Sequence, residues 1–188
     1  MGKIYECIDA RLARWIEDQP VFFVATAPLA ADGLVNLSPR GLRGTFRVLD
    51  EHTFSYADLT GSGIETVAHL RENGRICVML CAFDGPPKIV RLHGAGSVLR
   101  RGEPGFDAAL QPFATALAFG TREPAARAVV RVDVHRISDS CGFGVPLMDL
   151  RAERDLLDSW SDNKGPDGVV RYQTKRNAVS LDGLPGMV

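Results

Sequence analysis

Three arginines lie close together in a stretch of the chain that lacks acidic residues. They are Arg40, Arg43 and Arg47, and together they form a local positive patch. Phosphate groups are bound by guanidinium forks where glycine backbone and hydroxyl groups lie beside them, and Gly41 and Ser38 supply both here. A solvent-exposed arginine loop without a ligand explains the same stretch equally well.

A second candidate anion site is the glycine-rich turn at residues 60–66, which opens a predicted helix. The free N–H groups and the positive dipole end of a helix N-terminus favour anions. Ser62 and Glu65, however, have the Ser-x-x-Glu spacing of a capping box, which would satisfy those donors internally. If this turn and the arginine stretch converge, they predict a single phosphate site and hence a phosphorylated cofactor.

Other kinds of chemistry have less support in the sequence. It contains no Gly-x-x-x-x-Gly-Lys loop, no Gly-x-Gly-x-x-Gly after a strand and no Gly-x-Ser-x-Gly elbow. The four histidines are dispersed and no Cys-x-x-Cys or His-Glu-x-x-His occurs, so we predict no metal site.

We expect Cys77 and Cys81 to pack in the core. Cys141 lies in a flexible setting, where a reactive role is the less favoured alternative. No residue stands out as a general acid or base, and we expect His93 to be structural.

Length and composition limit the classes of protein to which the chain can belong. It has 188 residues, of which 45% are apolar and 24% charged, with 22 basic and 23 acidic side chains. That length predicts one domain over residues 1–188 with a core of its own. The balanced charge argues against nucleic-acid binding. No signal peptide and no run of about 18 apolar residues is present, so we expect a cytoplasmic protein that does not bind membranes.

Hydrophobic periodicity predicts a mainly β protein with a few helices. We predict strands at residues 21–27, 53–57, 75–81, 88–99 and 129–137, and helices at residues 6–18, 64–73, 104–119 and 149–160. Residues 38–44 and the tail after residue 160 are expected to be irregular and turn-rich. Gly94 and Gly96 lie on the apolar face of a strand, where missing side chains permit a bulge or a close approach. Short strands with only occasional helices favour an antiparallel β-barrel with peripheral helices over a parallel sheet.

Five stretches of the sequence form a recognisable set: FFVATA (22–27), NLSPRG (36–41), TFSYADLTGSGIET (53–66), RICVMLC (75–81) and VRLHGAG (90–96). Together they resemble the pyridoxamine 5'-phosphate oxidase-like split-barrel flavoproteins, which bind FMN. The resemblance covers about residues 20–137, the expected barrel core, while the tail at residues 138–188 is similar to that of an uncharacterised branch of the family. It implies an antiparallel Greek-key split barrel, FMN as the cofactor, and a homodimer with FMN at the subunit interface.

The resemblance also implies which residues hold FMN. Arg40 would be the phosphate fork, Ser62 and Thr66 would be hydroxyl partners at the helix start, and residues 56–58 would approach the flavin. Arg91 is a weaker candidate from a neighbouring strand. The implied cofactor-binding set is Ser38, Arg40, Gly41, Tyr56, Ala57, Asp58, Ser62, Gly63, Thr66 and Arg91.

Two departures from the family pattern affect these expectations. Where the family's oxidases often have Ser-Arg-Lys at the helix start, this chain has Ser62-Gly-Ile and no basic residue, which shifts weight onto Arg40 and the backbone. The chain's one Arg-x-His sequence is Arg91-Leu-His93, which lies mid-strand and not near the C-terminus. Vitamin B6 oxidation is therefore not expected.

The sequence thus predicts an FMN-dependent oxidoreductase that transfers hydride or electrons between FMN and an unidentified small substrate. A flavin-binding carrier or sensor without turnover is the alternative. The same barrel could also hold a deazaflavin or haem in place of FMN.

Overall fold

The computed structural model describes residues 2–114 and 120–187 of the chain. These residues form eight strands, four α-helices and one 3₁₀-helix (Gly120–Ala125). The strands are β1 (Ile4–Tyr5), β2 (Val21–Thr26), β3 (Asn36–Gly41), β4 (Phe46–Asp50), β5 (Thr53–Leu59), β6 (Arg75–Cys81), β7 (Ile89–Arg100) and β8 (Ala126–Ser140). The helices are α1 (Ala10–Glu17), α2 (Glu65–Asn73), α3 (Phe106–Ala114) and α4 (Leu156–Arg176).

All eight strands belong to one antiparallel sheet that curls into a half-barrel. The strand order is β3-β2-β6-β7-β8-β5-β4, and β1 pairs with β8 outside this path. Long strands carry the curl, since β7 spans 12 residues and β8 spans 15. The predicted mainly β split-barrel architecture with peripheral helices is confirmed. No helix in the described part of the chain is both long enough and apolar enough to cross a membrane.

Pairing register decides which side chains lie inside the curled sheet. Phe22 on β2 is aligned with Leu80 on β6, which is aligned with Val90 on β7, and all three are buried on the inner face. The Phe22 ring contacts the rings of Phe46 and Tyr56 at centroid distances of 4.9 and 5.3 Å. Burial of large aromatic side chains is the main source of stability in such a core.

Glycines at the end of α2 and within β7 occupy positions where a side chain would not fit or would be strained. Gly74 ends α2 in the left-handed conformation, with φ of 70°, which suits a residue without a Cβ. Gly94 lies at a register shift between β7 and β8, where an added Cβ would come within 2.1 Å of the Asp133 carbonyl oxygen. At Gly96, an added Cβ would meet the Leu70 side chain at 2.7 Å. The predicted bulge and close approach are therefore both present.

Residues 38–44 are not wholly irregular, so that prediction was wrong in part. Ser38 to Gly41 belong to β3, and each of these residues is aligned with a residue of β2. Pro39 fits because β3 lies at the edge of the sheet, where a strand tolerates a residue that cannot donate a backbone hydrogen bond. The short strands β1 and β4 were not predicted either, because two to five residues carry little periodicity.

The predictions of a helix at residues 149–160 and of a turn-rich tail after residue 160 were wrong in part, since of that tail only residues 177–187 are irregular and turn-rich. The helix begins only at Leu156 and continues to Arg176, through a kink at Gly165 where φ is 64°. Pro166 follows the kink, and proline is well suited to the first turn of a new helical segment. The Trp160 and Tyr172 rings pack edge to face across the kink, with centroids 5.0 Å apart. Of the predicted helix at residues 104–119, Phe106–Ala114 is helical and residues 115–119 lie outside the described part.

Candidate functional site

Arg40 lies on the edge strand β3, and its side chain reaches the inner side of the sheet. It is aligned with Phe22, and its Nη2 atom lies 3.2 Å from Oδ1 of Asp58 on β5. The side chain is 23% exposed. Its Nε atom is buried and makes no hydrogen bond of good geometry within the described residues, and the buried Tyr56 hydroxyl, which interacts with the guanidinium, likewise lacks a well-formed one. Buried donors are normally satisfied, so an orphaned guanidinium nitrogen indicates a missing partner.

A second arginine holds the other oxygen of the same carboxylate. Arg127, at the start of β8, donates from Nε to Oδ2 of Asp58 over 2.8 Å, and both side chains are almost completely buried. Burial alone would raise the pKa of Asp58, but the guanidiniums of Arg127 and Arg40 outweigh it and the pKa lies below its usual range. Asp58 is therefore ionised, and the cluster of two arginines and one carboxylate retains a surplus positive charge.

The start of α2 is open, and the capping-box alternative is not realised. Ile64 occupies the N-cap position, and no side chain accepts a hydrogen bond there. The carboxylate of Glu65 folds back over the preceding turn, with Oε2 2.5 Å from the point where a Cβ on Gly63 would lie. Ser62 and Gly63 are exposed. The N-terminus of α2 thus keeps unsatisfied backbone donors beside a negatively charged side chain.

Thr66, in the first turn of α2, is connected to β3 by hydrogen bonds of Asn36. The Asn36 Nδ2 atom donates to Thr66 Oγ1 over 3.0 Å and to Thr26 Oγ1 over 3.1 Å. The Oδ1 atom of Asn36 accepts from the Ser38 hydroxyl over 2.8 Å. Because Thr66 Oγ1 accepts a hydrogen bond from Asn36, its own proton is available to a further acceptor.

This hydrogen-bonded array extends to His69 of α2 but, among the described residues, does not reach the C-terminal tail. The Thr26 hydroxyl lies 3.0 Å from Nδ1 of His69, a completely buried residue of α2. The Nε2 atom of His69 lies 3.9 Å from a carboxylate oxygen of Asp182, which is too long for a hydrogen bond. The array therefore fixes the orientation of the polar side chains between β2, β3 and α2.

Sequence reasoning missed two residues of this region, Arg127 and Asn177. Arg127 Nη1 donates to Asn177 Oδ1 over 2.9 Å, and Asn177 Nδ2 donates to the Gly61 carbonyl over 3.0 Å. The one available signal for Arg127 is its place between two alanines at the start of an apolar strand. Asn177 comes from the tail, and nothing local predicts its partner.

The structure brings some of the ten predicted residues together and separates others. Arg40, Asp58, Ser38 and Thr66 lie around the inner edge of β3 and the start of α2, and the exposed backbone of residues 61–63 is in the loop that leads into α2. Gly41 ends β3, where its carbonyl accepts from the Thr45 hydroxyl over 2.9 Å.

Ala57 and Arg91 lie elsewhere, whereas the Tyr56 hydroxyl lies beside Arg40 and Asp58. The Tyr56 side chain is part of the aromatic core, and its burial raises the pKa of the hydroxyl, so it is neutral. Ala57 packs against the cluster around Phe106. Arg91 is aligned with Met79, on the outer face of the sheet opposite to Arg40, and it donates to Ser140.

Of the arginine stretch, Arg40 alone joins this region. Arg47 lies 3.9 Å from Glu17 of α1, and the Arg43 side chain is exposed. Only one guanidinium of the stretch, that of Arg40, therefore lies near the turn at residues 60–66.

A cavity of about 1050 Å³ lies between α1 and the β6–β7 turn, and none of the ten predicted residues lines it. Two of its polar side chains, Tyr5 and Asp139, are hydrogen-bonded to each other. The Tyr5 hydroxyl donates to Asp139 over 2.5 Å, and burial together with this bond raises the pKa of Tyr5 to about 12. The Lys88 ammonium lies 5.4 Å from the Tyr5 ring and 4.9 Å from the Trp15 ring. The more informative region is therefore the edge around Arg40, where polar groups lack partners.

Metal binding and cysteine chemistry gain no support from the geometry. The described residues contain no group of three or more His, Cys, Asp or Glu side chains that could hold a metal ion. Cys81 is buried, whereas Cys77 is half-buried on the outer face, with its sulfur 3.8 Å from Nε2 of His93. Burial raises the pKa of the Cys77 thiol, which disfavours the reactive thiolate.

An antiparallel half-barrel with this strand order, and with its charged residues between β3, β5 and the start of α2, defines the split-barrel class of proteins. The chain belongs to the pyridoxamine 5'-phosphate oxidase family, whose model matches residues 8–141. The family predicted from the sequence is therefore confirmed, and α4 and the tail lie outside the matched region.

Individual relatives agree with this assignment. The chain is 39% identical over 203 residues to the pyridoxamine 5'-phosphate oxidase family protein ustO of Aspergillus flavus, and the match covers 100% of this chain and 78% of ustO. Two crystal structures of HupZ from Group A Streptococcus, one of them a variant, share 25% sequence identity with it. The TM-scores are 0.54 and 0.52, with 71% and 69% of this chain and 99% and 91% of the HupZ chains covered.

Asp58→Asn should destabilise the protein strongly, because it leaves the buried Arg127 without its counter-ion. Breaking a buried ion pair costs about 3–5 kcal/mol, so the free energy of unfolding in urea at pH 7 should fall by that amount. In the wild type, the contribution of Asp58 is present above about pH 4 and is lost as the pH falls through the lowered pKa of the folded state. The variant should lack this part of the acid destabilisation.

Asp133→Asn is the matched control, because Asp133 is exposed and only loosely paired with Arg131, 3.6 Å away. Its effect should stay within about 1 kcal/mol. An Asp58→Asn variant as stable as this control would show that the buried cluster does not hold β5 and β8 together.

Proposed function

We propose that this protein binds FMN and uses it as the redox cofactor of an oxidoreductase acting on a small substrate. The observation that carries the proposal is the buried Arg40 Nε atom, which makes no hydrogen bond of good geometry among the described residues. Arg40 is close enough to Glu65, in the first turn of α2, for their charges to interact. The guanidinium of Arg40, whose side chain is 23% exposed, therefore lies near the uncapped helix start, and a phosphate group would contact both.

The charges and donors in this region suit a phosphate monoester. Arg40 and Arg127 carry two positive charges against the single buried negative charge of Asp58, and the remaining positive charge is opposed by Glu65, whose charge also reaches Arg40. Arg40 would bind a phosphate oxygen through its planar fork. The exposed backbone at Ser62 and Gly63 would add N–H donors, and the Thr66 hydroxyl would add a third kind of donor. Family membership supports the choice of FMN among phosphorylated cofactors.

When bound, the flavin supplies the exchange of a hydride or electrons with a substrate. The chain's own residues would anchor the phosphate and orient the cofactor along the edge of the sheet. Vitamin B6 oxidation is not part of the proposal. The Arg91-Leu-His93 sequence lies in the middle of β7, and Arg91 is on the outer face of the sheet.

The proposed site is complete only in a homodimer, with FMN at the interface. Arg40 belongs to an edge strand that no other strand of the described chain covers. Next to it lie three exposed apolar side chains, Leu34, Val35 and Leu37, which are 53%, 76% and 64% exposed. An open strand edge with apolar side chains is typical of a surface that pairs with another chain. The partner proposed here is a second copy.

Arg40→Ala tests the phosphate contact directly. A charge-assisted hydrogen bond contributes about 1.5–3 kcal/mol, so the affinity for FMN should fall roughly tenfold to a hundredfold. The measurements are the visible absorption spectrum of the protein after FMN has been added and the excess removed, and a titration of flavin fluorescence. Arg43→Ala, which removes an exposed neighbouring arginine, should leave the affinity unchanged.

The wild-type spectrum also separates the alternatives. A colourless protein that retains no FMN would contradict the proposal, and a deazaflavin or haem spectrum would assign the barrel another cofactor. If FMN is retained but is neither reduced by nicotinamide nucleotides nor reoxidised afterwards, the protein is a carrier or sensor without turnover.

Glu65→Gln should increase the affinity for FMN about two- to fivefold. The substitution removes a negative charge from the first turn of α2, where a charge contributes about 0.3–1 kcal/mol through the helix dipole. The gain should shrink as the salt concentration rises. Glu72→Gln, in the last turn of the same helix, serves as the control and should produce no gain. An unchanged or weaker affinity for Glu65→Gln would place the phosphate away from the start of α2.

Leu37→Asp tests the homodimer. A charge on this exposed side chain of β3 should shift the mass measured by light scattering from two copies towards one, and FMN should be lost with it. Leu181→Asp changes a side chain that is 77% exposed in the tail, and it should keep the dimer. A wild-type protein that is monomeric with FMN bound would overturn the interface.

A further inference from the structure

The loop before α2 is held from its buried side by the C-terminal tail. Asn177 is completely buried, and its Nδ2 atom donates to the carbonyl oxygens of Gly61 and Ser62 over 3.0 and 3.4 Å. Its Oδ1 atom accepts from Arg127, whose guanidinium also donates to the Gly61 carbonyl over 3.2 Å. Two successive carbonyls of this loop are thus turned towards one side chain.

Planarity of the peptide bond converts this contact into a direction for the N–H groups. In a trans peptide, the carbonyl of one residue and the N–H of the next point to opposite sides. With the Gly61 and Ser62 carbonyls directed at Asn177, the N–H groups of Ser62 and Gly63 point the other way, towards the exposed side of the loop. Neither N–H donates a hydrogen bond within the described residues. Two adjacent donors that point the same way form a backbone anion-binding arrangement.

A second contact from α4 holds the start of the loop. Gln173 Nε2 donates to the Thr60 hydroxyl over 2.8 Å, and that hydroxyl donates to the Ala125 carbonyl over 2.7 Å. Gln173 and Asn177 both follow residue 141, the last residue that the family model matches. The tail of this chain therefore supplies contacts to the loop that the matched region does not contain.

We propose that Asn177 is a positioning residue, which turns the Ser62 and Gly63 N–H groups outward so that they bind the phosphate of the cofactor. The inference rests on the proposed function, because the phosphate is that of FMN. It adds that the tail builds part of the anion site without touching the anion. It also accounts for a helix start that lacks the family's basic residues, since backbone donors replace side-chain charges.

Hydrogen–deuterium exchange of the ligand-free protein is the first arm of the test. Asn177→Ala should speed the exchange of the Thr60 and Ala68 amides, which are hydrogen-bonded at the two ends of the loop to the carbonyls of Ala125 and Ile64, because the loop between them loses the donor that fixes it. Asn177→Asp is the second variant. It keeps an acceptor for Arg127, so the tail remains docked, but it cannot donate to the two carbonyls and should speed the same amides. Asn163→Ala, an exposed asparagine of α4, is the control and should leave them unchanged.

Binding of FMN and of inorganic phosphate is the second arm. Both Asn177 variants should bind each ligand about tenfold more weakly than the wild type or Asn163→Ala, since two charge-assisted backbone donors are no longer held in place. The visible circular dichroism of bound flavin should change in the Asn177 variants. A general loss of stability would not change this spectrum in the molecules that remain folded.

The results distinguish a failure of the role proposed for Asn177 from a failure of the proposed function. Unchanged exchange at the Thr60 and Ala68 amides in both variants would overturn the role of Asn177. Faster exchange with unchanged FMN and phosphate affinities would also overturn it, since the loop would then matter only for stability. A wild-type protein that binds neither ligand would instead refute the proposed function, and with it the assignment of these donors to a phosphate.

Discussion

A buried carboxylate connects parts of the molecule that are distant in sequence. Asp58 on β5 is held by Arg40 from the edge strand and by Arg127 from β8, and Arg127 extends the connection to Asn177 in the tail. A charge removed from water is tolerated only when it is compensated by opposite charges and hydrogen bonds. The edge of the sheet, the loop before α2 and the tail therefore depend on one another for their positions.

Elements with local signals could be predicted from the sequence, whereas elements that depend on distant contacts could not. The strand β6 has a continuous apolar run, and α2 ends at an Asn-Gly pair whose glycine adopts the left-handed conformation that a helix end favours. The helix α4 has a weak apolar pattern, and glycine and proline in its middle normally indicate a turn. It forms because Val169 and Gln173 are buried against the rest of the chain, so packing overrides local propensity.

The same distinction applies to the candidate site. Arg40 and Ser38 lie near Thr66 because the register of β3 against β2 places both residues beside α2, and their role in binding a cofactor stays a prediction. The alternation of apolar and polar residues along β7 does not show whether Arg91 lies on the same face of the sheet as Arg40, because that depends on how β7 pairs with β6. Asn177 was beyond sequence reasoning, because its partner Gly61 is 116 residues away and no pattern of residue types encodes such a pair.

The long sequence separation between Asn177 and the loop has a consequence for biosynthesis. A ribosome completes β2, β3, β5 and α2 well before residue 177 has been added, so the carbonyls of Gly61 and Ser62 have no permanent donor during most of translation. Contacts of such high contact order form late, because the chain between them must be made and closed first. The strands β2, β3 and β5 are therefore available for pairing before the loop reaches its final conformation, and the loop is the last part of this region to mature.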